Sequence, residues 1–417
     1  MKISDIKPEV FRMAEEAEKE THEVFRRIDA IAERNTRKVM EAFQDNRVSD
    51  SCFAGTTGYG YDDLGRETLD KIYAQVFGAE AALVRINFVN GTHALTAAIF
   101  ATVKPGDTIL AATGMPYDTL RSAIGISGCC HGSLKFYGID YAQVDLRADG
   151  TPDIEGIKAA VSDKKVTAVM IQRSRGYEDR PALTVEQIGE ICAAIKSVDP
   201  AAVIMVDNCY GEFTDVIEPT DVGADLIAGS LIKNPGGGIA PTGGYIAGRK
   251  ELVDRAAMRL TTPGIGGECG STLGNNRLLY QGLFMAPHTV AQALKTAVFC
   301  AAMMKRLGIG SSPAADEKRS DIIQMIRLGS EENMRRFCLG IQAGAPVDSY
   351  VTPEPWAMPG YDCPVIMAAG AFIQGSSIEL SADGPVRPPY IAYMQGGLTY
   401  ESGKLGIMMA VSAMLDK

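Results

Sequence analysis

Residues 202–238 read AVIMVDNCYGEFTDVIEPTDVGADLIAGSLIKNPGGG, and this stretch decides the fold. It holds two apolar runs, at 202–206 and 226–229, and each run gives way directly to polar residues. Apolar runs without polar alternation are typical of strands that are buried on both faces. Such strands belong to parallel sheets that are covered by helices. Asp207 and Lys233 follow the two runs, where open α/β sheets bind ligands.

Apolar runs of the same kind, alternating with helical patterns, continue in both directions from this stretch. Further β-type runs lie at 82–85, 108–112, 134–136, 166–171 and 244–248, with helical windows at 92–103, 117–126, 153–161 and 184–196. This alternation predicts the α/β class with a mostly parallel sheet. After a glycine-rich stretch at 262–271, a long helical pattern covers 276–307, and residues 308–417 indicate a smaller α+β domain.

The first fifty residues differ from the rest, because 22 of them are Asp, Glu, Lys or Arg. Apolar residues recur among them at helical spacing, which predicts one or two long amphipathic helices. Packing on the core of the same chain is favoured over a coiled coil, since the apolar stripe is not a strict heptad. A helical arm on a partner subunit is the alternative.

Composition excludes several classes of function. The 417 residues carry 41 Lys and Arg against 51 Asp and Glu, a net charge of −10, which disfavours nucleic acid and anionic membrane as partners. No apolar stretch is long enough to span a bilayer, and the first residues lack a signal pattern, so we expect a cytoplasmic protein. Nine scattered cysteines and four histidines show no metal spacing, so we expect reduced cysteines and no metal.

Three short motifs could carry chemistry. Asn90-Gly91-Thr92-His93 opens a helical window, Asp207 closes a strand, and Lys233 follows about two dozen residues later. Each has an ordinary structural explanation, as a helix cap or a turn residue. Together they supply a carboxylate for a pyridinium nitrogen, an amine, and a helix N-terminus for a phosphate.

These motifs give the sequence a specific resemblance. It resembles fold-type I pyridoxal-phosphate enzymes, in the motif order of the cystathionine and methionine γ-lyase group. It is most similar to the methionine γ-lyase-like or aluminium-resistance family. The segments that carry the resemblance are 172–177 (QRSRGY), 206–213 (VDNCYGEF), 229–238 (GSLIKNPGGG) and 375–385 (GSSIELSADGP).

The resemblance implies an aspartate aminotransferase-like fold for a pyridoxal-phosphate-dependent transferase. We divide the chain accordingly into an N-terminal helical arm at 1–60, a cofactor-binding large domain at 61–275, and a long helix with the small domain at 276–417. The active unit would be a homodimer or homotetramer with its active site at a subunit interface.

The resemblance also assigns the cofactor-binding residues. Lys233 would bind pyridoxal 5'-phosphate covalently and then move protons as a desolvated base with a lowered pKa. Asp207 would pair with the ring nitrogen. Gly91, Thr92 and Ser230 would hold the phosphate, although Ile232 stands where relatives have a hydroxyl residue.

The resemblance also implies roles for three further residues. Tyr117 would stack on the cofactor and protonate the leaving sulfur, or simply pack at a helix start. Tyr61, or Tyr59, would reach the neighbouring subunit's phosphate. Asp63 stands where an arginine is expected, so either Arg66 replaces that arginine or its contact is lost. Arg387 would bind the substrate carboxylate, or be a surface loop residue.

Four other residues lie within or beside these motifs. Arg173 and Arg175 replace a Thr-Pro-x-Asn-Pro segment of the better-known γ-lyases, a change that could alter substrate choice. His93 is interpreted as a helix residue rather than a base, and Cys209 as a residue beside the site.

The predicted function is a carbon–sulfur lyase. It would eliminate the γ or β substituent of a sulfur amino acid, giving a 2-oxo acid, ammonia and a thiol. Another pyridoxal-phosphate reaction on an amino acid (aldol cleavage, transamination or γ-replacement) is the alternative, since a fold does not determine a reaction. A nucleotide-binding or purely structural protein is disfavoured, because P-loop and G-x-G-x-x-G patterns are absent from the sequence.

Overall fold

A computed structural model describes residues 1–127, 131–357 and 363–416. In its large sheet the strands are β1 Ala81–Arg85, β2 Thr108–Ala111, β3 Asp140–Gln143, β4 Val166–Gln172, β5 Val203–Asp207, β6 Leu226–Ser230 and β7 Gly244–Gly248. Their order is β1-β7-β6-β5-β4-β2-β3. The five strands from β6 to β3 pair in parallel, whereas β7 is antiparallel to both of its neighbours. The predicted mostly parallel sheet is confirmed.

Both faces of this sheet are buried. In β5, Ile204 and Val206 pack into one apolar cluster, while Met205 between them packs into the cluster on the opposite face. The helices that accompany the large sheet are α2 Leu64–Val76, α3 Gly91–Thr102, α4 Asp118–Ile124, α5 Ile154–Val161, α6 Val185–Val198 and α7 Lys250–Leu260. Burial on both faces explains why the strands are apolar without alternation.

One predicted strand is wrong. Residues 134–136 do not form a strand: a short 3-10 helix at Lys135–Tyr137 ends at Gly138, whose φ is 74°. The edge strand β3 comes directly afterwards, at Asp140–Gln143, and its residues are only partly buried. An edge strand exposed to solvent needs no apolar run, so the hydrophobic pattern pointed to the wrong residues.

The N-terminal helix packs on its own chain. Helix α1, Pro8–Asp45, lies along α8, Asn276–Arg306, and ion pairs such as Arg306–Glu20 at 2.7 Å join the two. Asn35 is buried in α1, and its amide donates to the carbonyls of Phe213 and Asp215. Amphipathic α1 therefore completes the core of the same chain.

The C-terminal part forms a second, smaller sheet. Its strands are β8 Ser311–Ser312, β9 Ile323–Arg327, β10 Val365–Ala369, β11 Ser381–Pro385 and β12 Ile391–Gln395, in the antiparallel order β10-β11-β12-β9-β8. Helices α9, Glu331–Ala343, and α10, Tyr400–Met414, pack together beside this sheet. No helix of the described residues is long and apolar enough to cross a membrane.

The cysteines are scattered through these elements. Five are buried in the fold (Cys52, Cys192, Cys209, Cys300 and Cys338), and two are half-buried (Cys269 and Cys363). Cys129 and Cys130 lie outside the described residues.

Candidate active site

A cavity of about 310 Å³ lies where the carboxyl ends of β4, β5 and β6 face the small sheet. Six of the eight residues predicted for the site line it: Gly91, Thr92, Tyr117, Asp207, Ser230 and Lys233. They come from four separate segments of the chain. The parallel strands bring these segments to one edge of the sheet, as expected for this class of fold.

One end of the cavity is built to hold an anion. Asn90 caps α3 by accepting a hydrogen bond from the His93 N–H at 2.9 Å, which leaves the first-turn N–H groups of Gly91 and Thr92 beside the cavity. Ser230 is 1% exposed, and its hydroxyl has no hydrogen-bond partner among the described residues. A Cβ on Gly91 would lie 3.0 Å from the Ser230 Cβ, so glycine allows this close approach.

Lys233 and Asp207 supply the opposite charges of the cavity. The Lys233 Nζ lies 4.0 Å from the centre of the Tyr210 ring, and the buried Asp207 carboxylate accepts a hydrogen bond from the Cys209 N–H at 3.1 Å. Burial raises the pKa of Asp207, whereas Lys233 and the Cys209 N–H lower it. Cys209 lines the cavity as predicted, but burial raises the pKa of its thiol well above the ordinary value.

The predicted lowering of the Lys233 pKa is wrong for the protein by itself. Burial lowers this pKa, but the groups around it that become negative, Cys209, Tyr210 and Asp207, raise it by more. The negative forms of these groups together therefore outweigh the effect of burial on the Lys233 pKa.

Tyr117 is positioned by Gln172, a residue that the sequence analysis did not single out. The Tyr117 N–H donates to the Gln172 Oε1 at 2.8 Å, and Gln172 is paired in register with Asp207 on the adjacent strand. Both residues line the cavity. Gln172 is the first residue of the segment 172–177, which carries part of the family resemblance. Its place in that segment is the sequence feature that could have marked it as a site residue.

A buried polar network supports the strand ends from behind. Arg173 and Glu218 are both 0% exposed, and Arg173 donates to Glu218 Oε2 at 3.3 Å and to Asn208 Oδ1 at 2.7 Å. Asn208 donates in turn to Glu218 at 3.1 Å, and the Phe213 N–H donates to Glu218 Oε1 at 2.9 Å. Arg173 therefore fixes the loop after Asp207, which gives it a structural role rather than one in substrate choice.

The small sheet contributes a polar wall with an unusual carboxyl group. Asp383 lines the cavity and accepts a hydrogen bond from the Gln395 side chain at 3.3 Å. Burial raises its pKa to about 7, although Tyr177 lowers it. Asp383 belongs to the segment 375–385, which carries part of the family resemblance. The sequence did not single it out, because its contact with Gln395 is visible only in the folded structure.

Two predicted site residues lie outside this cavity. Tyr61 is exposed and stacks on Tyr59, with ring centres 5.6 Å apart. Arg387 is exposed on a loop and lines a second cavity of about 340 Å³. Arg66, the suggested substitute for a missing arginine, is buried and donates to the carbonyls of Gly60, Gly270 and Glu268, so it holds the Tyr61 loop in place.

His93 also lies outside the lining of the main cavity. Its Nδ1 accepts a hydrogen bond from the Val89 N–H at 3.2 Å, and its ring packs edge-on against Phe88. Burial lowers its pKa. These contacts agree with its interpretation as a helix residue.

Comparison with known proteins identifies the family. The family described as methionine gamma-lyase matches residues 10–415. The chain belongs to this family. It is 48% identical over 407 residues to the uncharacterized protein YnbB of Bacillus subtilis (strain 168), covering 97% of this chain and 96% of that protein. The predicted family resemblance is confirmed.

Solved structures agree with this assignment. A carbon-sulfur lyase involved in aluminum resistance from Clostridium novyi superposes with a TM-score of 0.95 at 53% identity, covering 98% of this chain and 96% of that one. The L-methionine gamma-lyase of Pseudomonas putida is a more distant relative, 27% identical over 212 residues, or 50% of this chain and 48% of that protein. The predicted fold of pyridoxal-phosphate-dependent enzymes is confirmed.

The residues of the cavity fit pyridoxal 5'-phosphate, the cofactor of the family. The α3 N-terminus and the unpartnered Ser230 hydroxyl suit its phosphate, Lys233 suits its aldehyde, and Asp207 suits its ring nitrogen. Ile232, which replaces an expected hydroxyl, also lines the cavity but donates nothing. Family and structural relatives together identify a pyridoxal-phosphate-dependent lyase acting on carbon–sulfur bonds.

Replacing Ser230 with alanine tests the anion site. We expect S230A to raise the dissociation constant of pyridoxal phosphate about 10- to 100-fold, the effect of losing a hydrogen bond to a charged group. Because the hydroxyl has no partner among the described residues, the melting temperature of the cofactor-free protein should stay unchanged. Fluorescence titration measures the affinity, with S197A as the control, since the Ser197 hydroxyl donates to the Ala194 carbonyl within its own helix. Wild-type affinity in S230A would contradict the assignment.

Replacing Arg173 with methionine tests the supporting network. Leaving Glu218 buried without its cation should lower the free energy of unfolding by about 3–5 kcal/mol, and R173M/E218Q should recover part of this loss. The control R147M removes an exposed arginine that lies 3.6 Å from Asp153, and should cost less than about 1 kcal/mol. Denaturant unfolding measures the free energy of unfolding of the wild type and of the three variants. Equal losses in R173M and R147M would show that the network does not stabilise the fold.

Replacing Asp383 with asparagine tests its burial. A folded-state pKa near 7 lies above the usual value of 3.8, so this carboxyl costs stability as pH rises from about 4 to about 7. The stability gained by D383N should therefore grow over this range, by up to about 4 kcal/mol, and level off above it. Thermal unfolding across pH measures the effect, with the exposed Asp316→Asn as control. A gain independent of pH would contradict this account.

Proposed function

We propose that this protein eliminates the β or γ substituent of a sulfur amino acid, releasing a thiol, a 2-oxo acid and ammonia. The observation that supports this most is the single cavity shared by Lys233, Asp207, Tyr117 and the anion site at Ser230. The overall change consumes one water: the carbon–sulfur bond breaks, the sulfur gains a proton, and the amino group leaves as ammonia. No oxidant or reductant is needed.

Pyridoxal phosphate, when bound, supplies an electron-withdrawing ring that stabilises negative charge at the substrate Cα. Asp207 would keep a proton on the ring nitrogen, since a buried carboxylate favours the charged pyridinium over the neutral ring. That pairing would also draw the Asp207 charge away from Lys233. The Lys233 pKa would then fall, as burial dictates, and its Nζ could accept the Cα proton.

Tyr117 is the proposed proton donor to the leaving sulfur. Its backbone is fixed by Gln172, and its side chain lines both the Lys233 cavity and the second cavity beside it. A group at this junction can meet a substituent that extends away from Lys233. Thiolates are poor leaving groups compared with thiols, so protonation at this point favours cleavage.

We also propose that the protein acts as a homodimer or homotetramer on a small amino-acid substrate. Tyr59 and Tyr61 are 71% and 56% exposed, and Arg66 holds their loop rigidly. Large exposed aromatic side chains on a fixed loop suit contact with another subunit. Tyr61 is the proposed contact to the cofactor phosphate of that subunit.

A product assay tests the proposed function. Holoenzyme should release thiol and 2-oxo acid in equal amounts from at least one of methionine, homocysteine, cystathionine and cysteine, and neither product from threonine. K233A should lower this rate by at least about 1,000-fold, since it removes the amine that acts on the substrate. The control is K158A, because Lys158 is half-buried outside the lining of the cavity and, within the described residues, forms its ion pair with Glu155.

Two results would contradict the proposal. Oxo acid without thiol would indicate transamination, and acetaldehyde from threonine would indicate aldol cleavage. A K233A variant as active as K158A would remove Lys233 from the mechanism.

A further inference from the structure

Arg175 is a buried cation whose side chain has no hydrogen-bond partner in the described part of the chain. It is 0% exposed, and none of its three guanidinium nitrogens has a hydrogen-bond partner among the described residues. Arg173, two residues earlier, is equally buried but donates to Asn208, Glu218 and Thr214. An unpaired buried charge is costly, so a fold retains one only where it gains something else.

The Asp321 carboxylate binds the backbone of Arg175 and forms no hydrogen bond with its guanidinium among the described residues. Asp321 Oδ2 accepts a hydrogen bond from the Arg175 backbone N–H at 3.3 Å, and Oδ1 accepts one from the Ile323 N–H at 3.0 Å. The other charged groups nearby have both signs: Glu178 lines the same cavity as Arg175 and is paired with Arg180 at 3.1 Å. Arg180 and Arg319 are both buried and close enough to Arg175 for the like charges to lower their pKa values further, beyond the effect of burial.

These two neighbouring arginines have acceptors of their own. Arg180 donates to the Ser174 carbonyl at 2.6 Å, and Arg319 donates to Gln324 Oε1 at 2.7 Å. Arg175 alone among the three lacks a side-chain hydrogen bond within the described part of the chain. The excess positive charge is therefore concentrated on a residue that can still take an anionic ligand.

Arg175 lines the second cavity, next to the Lys233 cavity. The two cavities share the wall formed by Tyr117, Gln172, Gly176 and Tyr177. The other arginines of the second cavity are less suited to bind a ligand, because Arg121 is paired with Asp118 at 2.7 Å and Arg387 is exposed at the rim. Since the guanidinium is fully covered, a ligand reaches it only when side chains of this wall shift.

We propose that Arg175 binds a carboxylate of the substrate in the second cavity, in place of the predicted Arg387. A planar guanidinium donates two parallel hydrogen bonds to a carboxylate, which is the ligand that best neutralises it. This inference rests on the proposed function for the presence of an amino-acid substrate. The carboxylate is either that of the reacting amino acid or a second one on the leaving thiol, and the chemistry at Arg175 is the same for both.

Calorimetric titration of the holoenzyme separates these two sources. The probes are L-norleucine, which has one carboxylate, L-norleucine amide, which has none, and L-2-aminopimelate, which has a second carboxylate at its far end. R175M should raise the dissociation constant of at least one acid probe about 10- to 100-fold, and leave the amide unchanged. An effect on both acids identifies the reacting carboxylate, and an effect on aminopimelate alone identifies the distal one.

The melting temperature is a second measurement that separates ligand binding from a structural role. A structural role for Arg175 would make R175M melt below the wild type. Because the Arg175 guanidinium has no hydrogen-bond partner among the residues that the structure describes, R175M should melt at or above the wild-type temperature, whereas R173M should melt below it. R175K keeps the charge without the planar fork and should bind the acid probes with intermediate affinity. It also serves as the test variant if R175M does not fold.

Two results would overturn the proposal. Either R175M and R175K leave all three dissociation constants within twofold of wild type, or only the control R387A weakens binding of the acids. None of the probes contains sulfur, so these titrations do not depend on elimination. Failure to release thiol from any substrate would overturn the proposed function and leave this result intact.

Discussion

The ion pair between Arg173 and Glu218 holds the active-site edge of the large sheet together. Arg173 directly follows β4, and its partners Asn208 and Glu218 follow β5. Because Gln172 and Asp207 are neighbours in register, the pair fixes both residues at once. Gln172 in turn fixes the Tyr117 backbone. Asp207, the proposed partner of the cofactor ring nitrogen, and Tyr117, the proposed proton donor, thus depend on one interaction that lies behind the cavity.

Charge in this protein is distributed unevenly. The chain as a whole carries a net charge of −10, and the region around the two cavities contains both signs: the cations Lys233, Arg175, Arg180 and Arg319 lie there together with carboxylates such as Asp207, Asp383 and Glu178. An anionic cofactor and an amino-acid carboxylate would meet positive charge there, together with the N–H groups at the start of α3. Local attraction of this kind needs no basic surface, which is consistent with the acidic composition.

The sequence predicted those features of the fold that are encoded by short runs of neighbouring residues. Apolar runs located six of the seven strands of the large sheet, and the motifs selected six residues that the fold brings to one cavity. The strand at 134–136 was misplaced because an exposed edge strand carries no apolar run. Gln172 and Asp383 were not singled out, since their partners lie at distant positions such as Tyr117 and Gln395. The Lys233 pKa depends on groups that only folding brings together.

The central claim is that Lys233 binds pyridoxal phosphate covalently. Borohydride reduction of the holoenzyme, followed by proteolysis and mass spectrometry, tests it most directly, because reduction makes the bond between the amine and the cofactor permanent. The peptide that contains Lys233 should gain the mass of one phosphopyridoxyl group, and no other lysine peptide should. An unmodified Lys233 peptide, or modification at a different lysine, would contradict the account.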